Sequence, residues 1–351
     1  NSFKMFIKDL YAISPQFTHN LEFEGGAWQE QFEKYYAAIE PSYQNIIPAN
    51  LLRRMGKAVR MGIGSGLPLL HRNEGTDGII IGSANGGMED CIQFLNQIVD
   101  YEEGTLTPTN FVNSTPNSLA GQLAIMTKNT GYNMTHVNGS LSFENALLDG
   151  MLFFEDQQQQ ASLLIGAVEE VSVYNYNIDL LAGRFKSEIT PNSKLISTQS
   201  NGSICGEGST MFIVSNDPYE AMARVVDIAQ ITNSSFDDLN VITKDLLEKN
   251  GLLPEMIDLL ILGRNGDVRT DHWYDEFSNK FKGTPSICYK NMCGEYRTSS
   301  AFACYLAGQL FSANFQNYAH VIGEIPPTFN HVLIYNHFDG ERHGLILLKR
   351  S

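Results

Sequence analysis

The sequence lacks runs of basic residues, long apolar stretches and an even set of cysteines. It has 351 residues, with 24 Lys and Arg against 39 Asp and Glu, and its formal net charge is −15. Nucleic-acid binding needs a positive surface, and a membrane span needs roughly 20 consecutive apolar residues. Residues 1–10 hold two lysines and too short an apolar core for a signal peptide. We therefore expect neither nucleic-acid binding nor membrane insertion.

The five cysteines are scattered and odd in number. A disulfide framework needs paired cysteines, and a reducing compartment keeps thiols free. This cysteine usage predicts a cytoplasmic protein.

Repeated spacings of metal ligands are also missing. Asp271, His272 and His343 come nearest to such a set, and we assign them to solvated loops. The glycine-rich residues 62–66 lack the Lys-Ser/Thr pair of a phosphate-binding loop. We therefore predict no metal site and no cofactor.

The sequence does contain enough apolar residues, 43%, for a large core. Apolar spacing predicts helices at residues 27–39, 51–70, 236–250 and 298–311. Apolar runs between turn residues predict strands at residues 5–13, 78–82, 161–168, 210–214, 221–231, 259–262, 286–289, 331–335 and 344–349. This mixture predicts an α/β protein.

The most informative stretch is residues 117–154. Helical spacing over residues 117–127 is followed by a short strand at residues 133–137, which we expect to be buried, and an Asn-Gly-Ser turn at residues 138–140. An apolar helix then covers residues 141–154. This pattern places Ser140 at a helix N-terminus, where free N–H groups and a partial positive charge favour a nucleophile.

This stretch resembles the β-ketoacyl-acyl-carrier-protein synthases of the thiolase superfamily. Asn117, Ala120, Gly121 and Gly131 match the family pattern without a gap, and the catalytic Cys position falls on Ser140. Further on, Gly206-Glu207-Gly208 matches the family's Gly-Glu-Gly, and we expect Glu207 to be a buried, hydrogen-bonded carboxylate.

The resemblance continues into the second part of the chain, where the family has two catalytic histidines. Gly263 stands at the first His position, and Asp271 matches the motif that follows it. Lys290 matches the family's lysine, whereas Glu295 stands at the second His position. Asn336-His337-Phe338 resembles the start of the family's Asn-Ser-Phe loop, but residues 339–342 replace its glycine-rich remainder.

The resemblance implies a thiolase-like fold of five layers, α-β-α-β-α, built from two similar halves. We expect the N-terminal half, with the nucleophile turn, at residues 1–217 and the C-terminal half at residues 218–351. It also implies dimers that pair through a strand of the first half.

Family condensation chemistry uses a thiolate and two imidazole donors. A serine hydroxyl needs an adjacent base, because a helix dipole contributes only about 0.3–2 kcal/mol. Gly263 has no side chain, and an ionised Glu295 would repel an enolate. Since loss of one oxyanion donor costs roughly 10²–10³ in rate, we expect no ordinary ketosynthase activity.

The leading hypothesis is a non-catalytic subunit that resembles the chain-length factors of type II fatty acid and polyketide (aryl-polyene-like) pathways. Its partners would be an active ketosynthase or a second copy, and an acyl carrier protein. The alternative is a serine acyltransferase or hydrolase with Ser140 as nucleophile, His337 as base and Glu295 orienting it. A third hypothesis is a scaffold protein whose acyl tunnel is filled.

Overall fold

Eleven strands of this protein form one continuous sheet in the computed structural model, which describes residues 4–19, 28–312 and 319–351. The strands of the described part are β1 Met5–Ile13, β2 Tyr35–Tyr36, β3 Gly78–Gly82, β4 Tyr132–His136, β5 Ser162–Glu169, β6 Cys205–Gly206, β7 Gly208–Ser215, β8 Ala223–Thr232, β9 Leu259–Leu262, β10 Ser286–Cys288, β11 His320–Ile322, β12 His331–Phe338 and β13 Arg342–Arg350. The helices are α1 Ala49–Leu52, α2 Lys57–Arg72, α3 Met88–Asp100, α4 Pro108–Asn113, α5 Ser118–Thr127, α6 Ser142–Glu155, α7 Val173–Leu181, α8 Phe236–Lys249, α9 His272–Ser278, α10 Lys290–Cys293 and α11 Ser300–Phe311.

The strand order shows that the fold consists of two similar halves. From the middle outward, one half runs β1-β7-β5-β3-β4 and the other runs β8-β13-β12-β9-β10, with β11 added at the edge. Numbered in chain order within each half, both orders read 1-5-4-2-3. The first three strands of each series are antiparallel neighbours and the last three are parallel neighbours, and β1 pairs with β8 at the junction.

The helices form three layers, one between the two halves and one on the outer face of each half. Helices α6 and α11 lie between them, and their apolar side chains share one core cluster with strands from both halves. Helices α2 and α5 cover the outer face of the first half, while α8 and α9 cover the second. The predicted α-β-α-β-α layering is therefore confirmed. The predicted boundary at residues 217 and 218 falls between β7 and β8 and stays a prediction.

Four sequence predictions need correction. Asp271 and His343 do not lie in solvated loops, because both side chains are buried and His343 belongs to strand β13. His272 is the first residue of helix α9.

The prediction of a helix at residues 27–39 is wrong for residues 28–39, the part that the structure describes. There, Tyr35–Tyr36 forms a short strand that pairs with Cys205–Gly206. The reason is tertiary, because the Tyr36 ring is fully buried against Leu195 and Ile204, and its hydroxyl donates to the Thr190 carbonyl.

The helix predicted at residues 51–70 is two helices, α1 and α2, separated at Gly56. A Cβ atom at Gly56 would lie 2.9 Å from the Asp90 carboxyl carbon, so this side chain packs directly against the break. Strand β4 is not buried as predicted, because it lies at the sheet edge and exposes Asn133 and Met134.

Candidate functional site

Ser140 lies where the sequence predicts it, between a strand and a helix. Residues Gly139–Leu141 form a single 3₁₀ turn that leads directly into α6, and Gly139 takes a φ of 56° that suits glycine. The Ser142 hydroxyl accepts from the Asn138 N–H at 2.8 Å and closes the turn. Ser140 itself is 3% exposed, and its Oγ has no hydrogen-bond partner in the described part of the chain.

Glu295 is held by two donors rather than left free to react. Its Oε2 accepts from the Lys290 ammonium at 2.6 Å and from the Asn265 amide at 2.6 Å. Lys290 is fully buried, and Glu295 is 7% exposed. Burial raises the pKa of Glu295, and the Lys290 charge opposes that rise. The pair is therefore a buried ion pair, and removal of one partner would leave an uncompensated charge.

Gly263 has no room for a side chain. A Cβ atom there would lie 2.7 Å from the Tyr274 hydroxyl and 2.9 Å from Cγ of Asn336. The Tyr274 hydroxyl accepts from the backbone N–H of His337 at 3.1 Å. The Tyr274 ring is fully buried. The space beside the first His position is thus filled by Tyr274 and Asn336.

Asp271 has a structural role near this position. Its carboxylate accepts from the Asn265 N–H at 3.1 Å and from the Gly266 N–H at 3.0 Å. It therefore fixes the turn that carries Asn265 toward Glu295.

His337 is buried and engaged at both ring nitrogens. Its Nδ1 accepts from the Gly340 N–H at 3.2 Å, so Nε2 carries the hydrogen and donates to the Thr270 carbonyl at 3.1 Å. Burial, with the Lys290 charge second, lowers the pKa of His337 well below its usual range. In the residues described, no hydrogen bond joins His337 to Ser140 or to Glu295.

Glu295 and His337 both line a narrow polar cavity of about 40 Å³. One water needs roughly 10–15 Å³ by this measure, so the space is large enough for about three waters. Ser140 is not among the lining residues that the structure describes. The lining is Asn85, Glu169, Glu170, Asn175, Asp179, Arg184, Phe185, Cys205, Gly206, Asn265, Asp267, Thr270, Glu295, Tyr296, Arg297, His337, Phe338 and Asp339.

Sequence patterns did not predict the charged side chains that line this cavity. The Arg297 guanidinium donates to both carboxylate oxygens of Asp179, at 2.9 and 3.0 Å. Asp179 lies on α7, which was not among the predicted helices although Ser172 and Asn175 form a capping box at its start. That Ser-x-x-Asn spacing was the available signal.

The remaining matched residues lie in the scaffold. Glu207 is buried, as predicted, and accepts from the N–H groups of Ala38 and Val171 and from the Lys57 ammonium. Gly206 lies so close to the Cys293 carbonyl that no side chain fits there, and Gly208 lies against the Ile13 carbonyl. Asn117 precedes the first turn of α5, and Gly121 lies inside that helix in open space.

One family model matches part of the chain. Residues 26–181 match the model of the beta-ketoacyl synthase N-terminal domain. This match confirms the resemblance to the β-ketoacyl synthases that the motifs predicted. None of the curated proteins compared with the chain matches it.

Solved structures with the same fold include ketosynthases and chain length factors. A beta-ketoacyl synthase from Burkholderia phymatum STM815 superposes with a TM-score of 0.80 at 13% identity, covering 99% of this chain and 100% of its own. The ishigamide ketosynthase/chain length factor gives 0.79 at 13% identity, with 100% of both chains covered. The AntDE:AntF complex, a type II PKS acyl-carrier protein with its ketosynthase bound to the hexaketide, gives 0.75 at 14% identity, also with both chains fully covered.

These likenesses confirm the thiolase-like fold class.

Among the described helices, none combines the length and the apolar character that a membrane crossing requires.

Proposed function

We propose that this chain is a non-catalytic subunit, similar to a chain-length factor, that pairs with an active ketosynthase in type II fatty acid or polyketide (aryl-polyene-like) biosynthesis. The observation that carries the proposal is the filled space at Gly263, where Tyr274 and Asn336 leave no room for an imidazole. We also propose a cytoplasmic location, since all five cysteines are free thiols.

The other two catalytic positions support the same function. Condensation needs an acyl-accepting nucleophile with a base, yet the Ser140 hydroxyl is buried without a partner in the described chain. It also needs donors for the enolate oxygen, whereas Glu295 presents a carboxylate that already accepts from Lys290 and Asn265. The cavity beside Glu295 does not include Ser140 among its described lining residues, so it does not join the two positions.

The exposed edge of the first half supports pairing with another subunit. Strand β4 ends the sheet, so its outer N–H and C=O groups face away from the protein. Apolar side chains surround this edge: Met134 is 40% exposed, Val137 50%, and Ile125 on α5 79%. An uncovered apolar edge strand favours β-pairing with a partner strand.

We propose an active ketosynthase rather than a second copy as that partner. Two copies would bring two charges of −15 together, and this repulsion disfavours the homodimer. The ketosynthase would supply the nucleophile that this chain lacks.

An acyl carrier protein is the proposed transient partner. Carrier proteins are acidic, so most of this surface would repel them. Arg53 and Arg54 form an exposed basic pair between α1 and α2, next to the exposed Phe111 and Val112 on α4. The Asn113 amide joins the two segments by donating to the Arg54 carbonyl at 2.8 Å. This basic and apolar patch suits an acidic partner.

The first experiment measures whether Ser140 becomes acylated. Purified protein and the Ser140→Ala variant are incubated with acyl- and malonyl-loaded carrier protein, and their intact masses are recorded. We expect no adduct on either protein. An adduct that disappears in Ser140→Ala would overturn the proposal and favour the serine acyltransferase.

The second experiment tests the partnership. The chain is co-expressed with the ketosynthase of its own system and purified through a tag on one subunit, and the mass of the complex is measured. We expect a one-to-one complex. A stable homodimer that ignores the ketosynthase would contradict the proposed partner, whatever the acylation result.

A further inference from the structure

A wide groove lies at the end of the first half that is opposite to Ser140. Its volume is about 1010 Å³, and residues that precede β5 and follow β7 line it. Strands β3, β4 and β5 run parallel, and Ser140 comes shortly after the last residue of β4, at their other end. The groove and the Glu295 cavity have no described lining residue in common. The groove is therefore a separate feature of the molecule.

Positive charge lines one part of this groove. Lys4, Phe6 and Arg224 lie together in its lining, and the Arg224 guanidinium carbon is 5.9 Å from the centre of the Phe6 ring. Strand register places Lys349 of β13 directly opposite Arg224 of β8. Residues opposed in this way project from the same face of a sheet. Three cations thus cluster here, in a chain whose net charge is −15.

Side-chain amides form another part of the lining. Four consecutive glutamines, residues 157–160, lie between α6 and β5 and line the groove with Asn216. The Asn216 amide nitrogen donates to the Gln159 carbonyl at 2.9 Å, and its oxygen accepts from the Ala161 N–H at 2.9 Å. These bonds fix the glutamine segment beside the end of β7. Amide groups both donate and accept hydrogen bonds, so they match the backbone of a bound peptide.

The lining also contains apolar side chains. Besides Phe6, they are Phe154 and Pro218. Phe154 is only 5% exposed, so its ring lies at the bottom of the groove. A narrow, extended segment reaches that depth more readily than the convex surface of a folded domain does.

Two carboxylates, Glu155 and Asp217, line the groove as well. Asp217 accepts from the Gln160 amide at 3.2 Å and lies 3.7 Å from the Lys8 ammonium. The three cations at the groove therefore outnumber these two carboxylates, one of which Lys8 already neutralises in part. The groove favours an anionic ligand.

We propose that the groove binds an extended peptide segment in which acidic and apolar residues alternate. Side chains of an extended chain point alternately to opposite sides, so carboxylates can face the cations while apolar side chains face the aromatic rings. Charge-assisted hydrogen bonds join the carboxylates to Lys4 and Arg224, and the glutamine amides bond to the backbone. This binding requires neither the ketosynthase nor the carrier of the proposed function.

Fluorescence anisotropy tests this binding on the full chain. The probe is a fluorescein-labelled peptide of about eight residues in which glutamate and leucine alternate. We expect saturable binding at about 0.05 M salt, where charges are little screened. Two control peptides, in which lysine replaces glutamate or serine replaces leucine, should each bind at least about tenfold more weakly.

Two exposed lysines at the groove can be changed without disturbing the core. Lys4→Glu combined with Lys349→Glu reverses two charges, and we expect binding of the glutamate–leucine peptide to weaken about five- to thirtyfold. Lys244→Glu combined with Lys282→Glu is the matched control and changes the total charge by the same amount. Lys244, on α8, and Lys282 are also exposed, and they do not line the groove.

Weaker binding in the first double variant, with binding retained in the control variant, supports the peptide site. Equal losses in both variants overturn it, because only the total charge would then matter. Equal binding of the glutamate–serine peptide also overturns it, since any polyanion would then suffice. Displacement of the probe by purified acyl carrier protein would assign the groove to a folded acidic protein instead. A lack of saturation up to about 1 mM protein would show that the groove binds no such segment.

Discussion

At the scale of single residues, Glu144 is a buried carboxyl group in an unfavourable environment. It lies in the first turn of α6 and is 1% exposed, and its Oε2 has no partner in the part of the chain that the structure describes. Its side chain packs against Gly344 of β13, where a Cβ atom would lie 3.1 Å from the carboxyl carbon. Burial raises its pKa from 4.5 to about 7.

This burial makes the effect of Glu144→Gln depend on pH. Between pH 4.5 and about 7 the folded protein holds a proton that the unfolded chain releases, so the contribution of Glu144 to stability falls as the pH rises. At pH 8 we expect Glu144→Gln to raise the free energy of unfolding by about 3 kcal/mol at most. Urea unfolding at pH 5 should show a much smaller gain, and the exposed Glu248→Gln should show none at either pH.

The packing at Gly263 predicts that any side chain there is costly. Gly263→Ala forces Tyr274 or Asn336 to move, and we expect a loss of about 1–3 kcal/mol in the free energy of unfolding. Gly121→Ala is the control, since it adds the same methyl group inside a helix with nothing within 4 Å. That change should stabilise the protein by up to about 1 kcal/mol. Equal effects at both glycines would refute the packing argument.

At the scale of elements, Glu170 connects two helices. Its carboxylate accepts from the Ala58 N–H of α2 at 2.9 Å and from the Glu89 N–H of α3 at 3.3 Å. One side chain thus satisfies a free N–H group in the first turn of each helix, which is the effect of a capping residue.

We therefore predict that Glu170→Ala loosens both helix starts together. The expected cost is about 1–3 kcal/mol, the sum of two lost caps. Hydrogen exchange should rise at the first turns of α2 and α3 while the first turn of α8, which Ser235 caps, stays unchanged. Exchange that rises in only one of the two helices would show that the cap is not shared.

Strand β4 is the element on which partnership should depend. Met134→Asp places a charge on its exposed edge, and we expect the complex with the ketosynthase to weaken at least about tenfold, or 1.4 kcal/mol, when co-purified or titrated. Val241→Asp, on the exposed face of α8, is the matched control. Binding that survives Met134→Asp would place the partner elsewhere.

At the scale of the whole molecule, a charge of −15 makes the few exposed basic residues important for carrier binding. We expect the double change Arg53→Glu and Arg54→Glu to weaken acyl-carrier binding by the ketosynthase complex at least about fivefold at low salt. The difference should shrink as salt screens the charges. Lys282→Glu, exposed in the second half, should leave binding unchanged, and an equal loss there would indicate only overall charge.

The whole fold also shows how far sequence patterns reach. Strands β3 and β9 were predicted because buried parallel strands read as continuous apolar runs. Residues 28–39 do not form the predicted helix, because their apolar spacing reflects one buried ring, Tyr36, rather than a helical face. The burial of strand β4 was not predictable, because a short apolar run does not distinguish a central strand from an edge strand.

The sequence by itself determined the family resemblance, the strand-turn-helix around Ser140 and the identity of the residues at the three catalytic positions. These follow from short motifs and local spacing. Only the tertiary structure decided that Tyr274 and Asn336 fill the space at Gly263, that Lys290 forms an ion pair with Glu295, and that Asp179 and Arg297 form an ion pair at the cavity wall. Those contacts join residues up to 118 positions apart, and no local pattern records which distant side chain enters a given space.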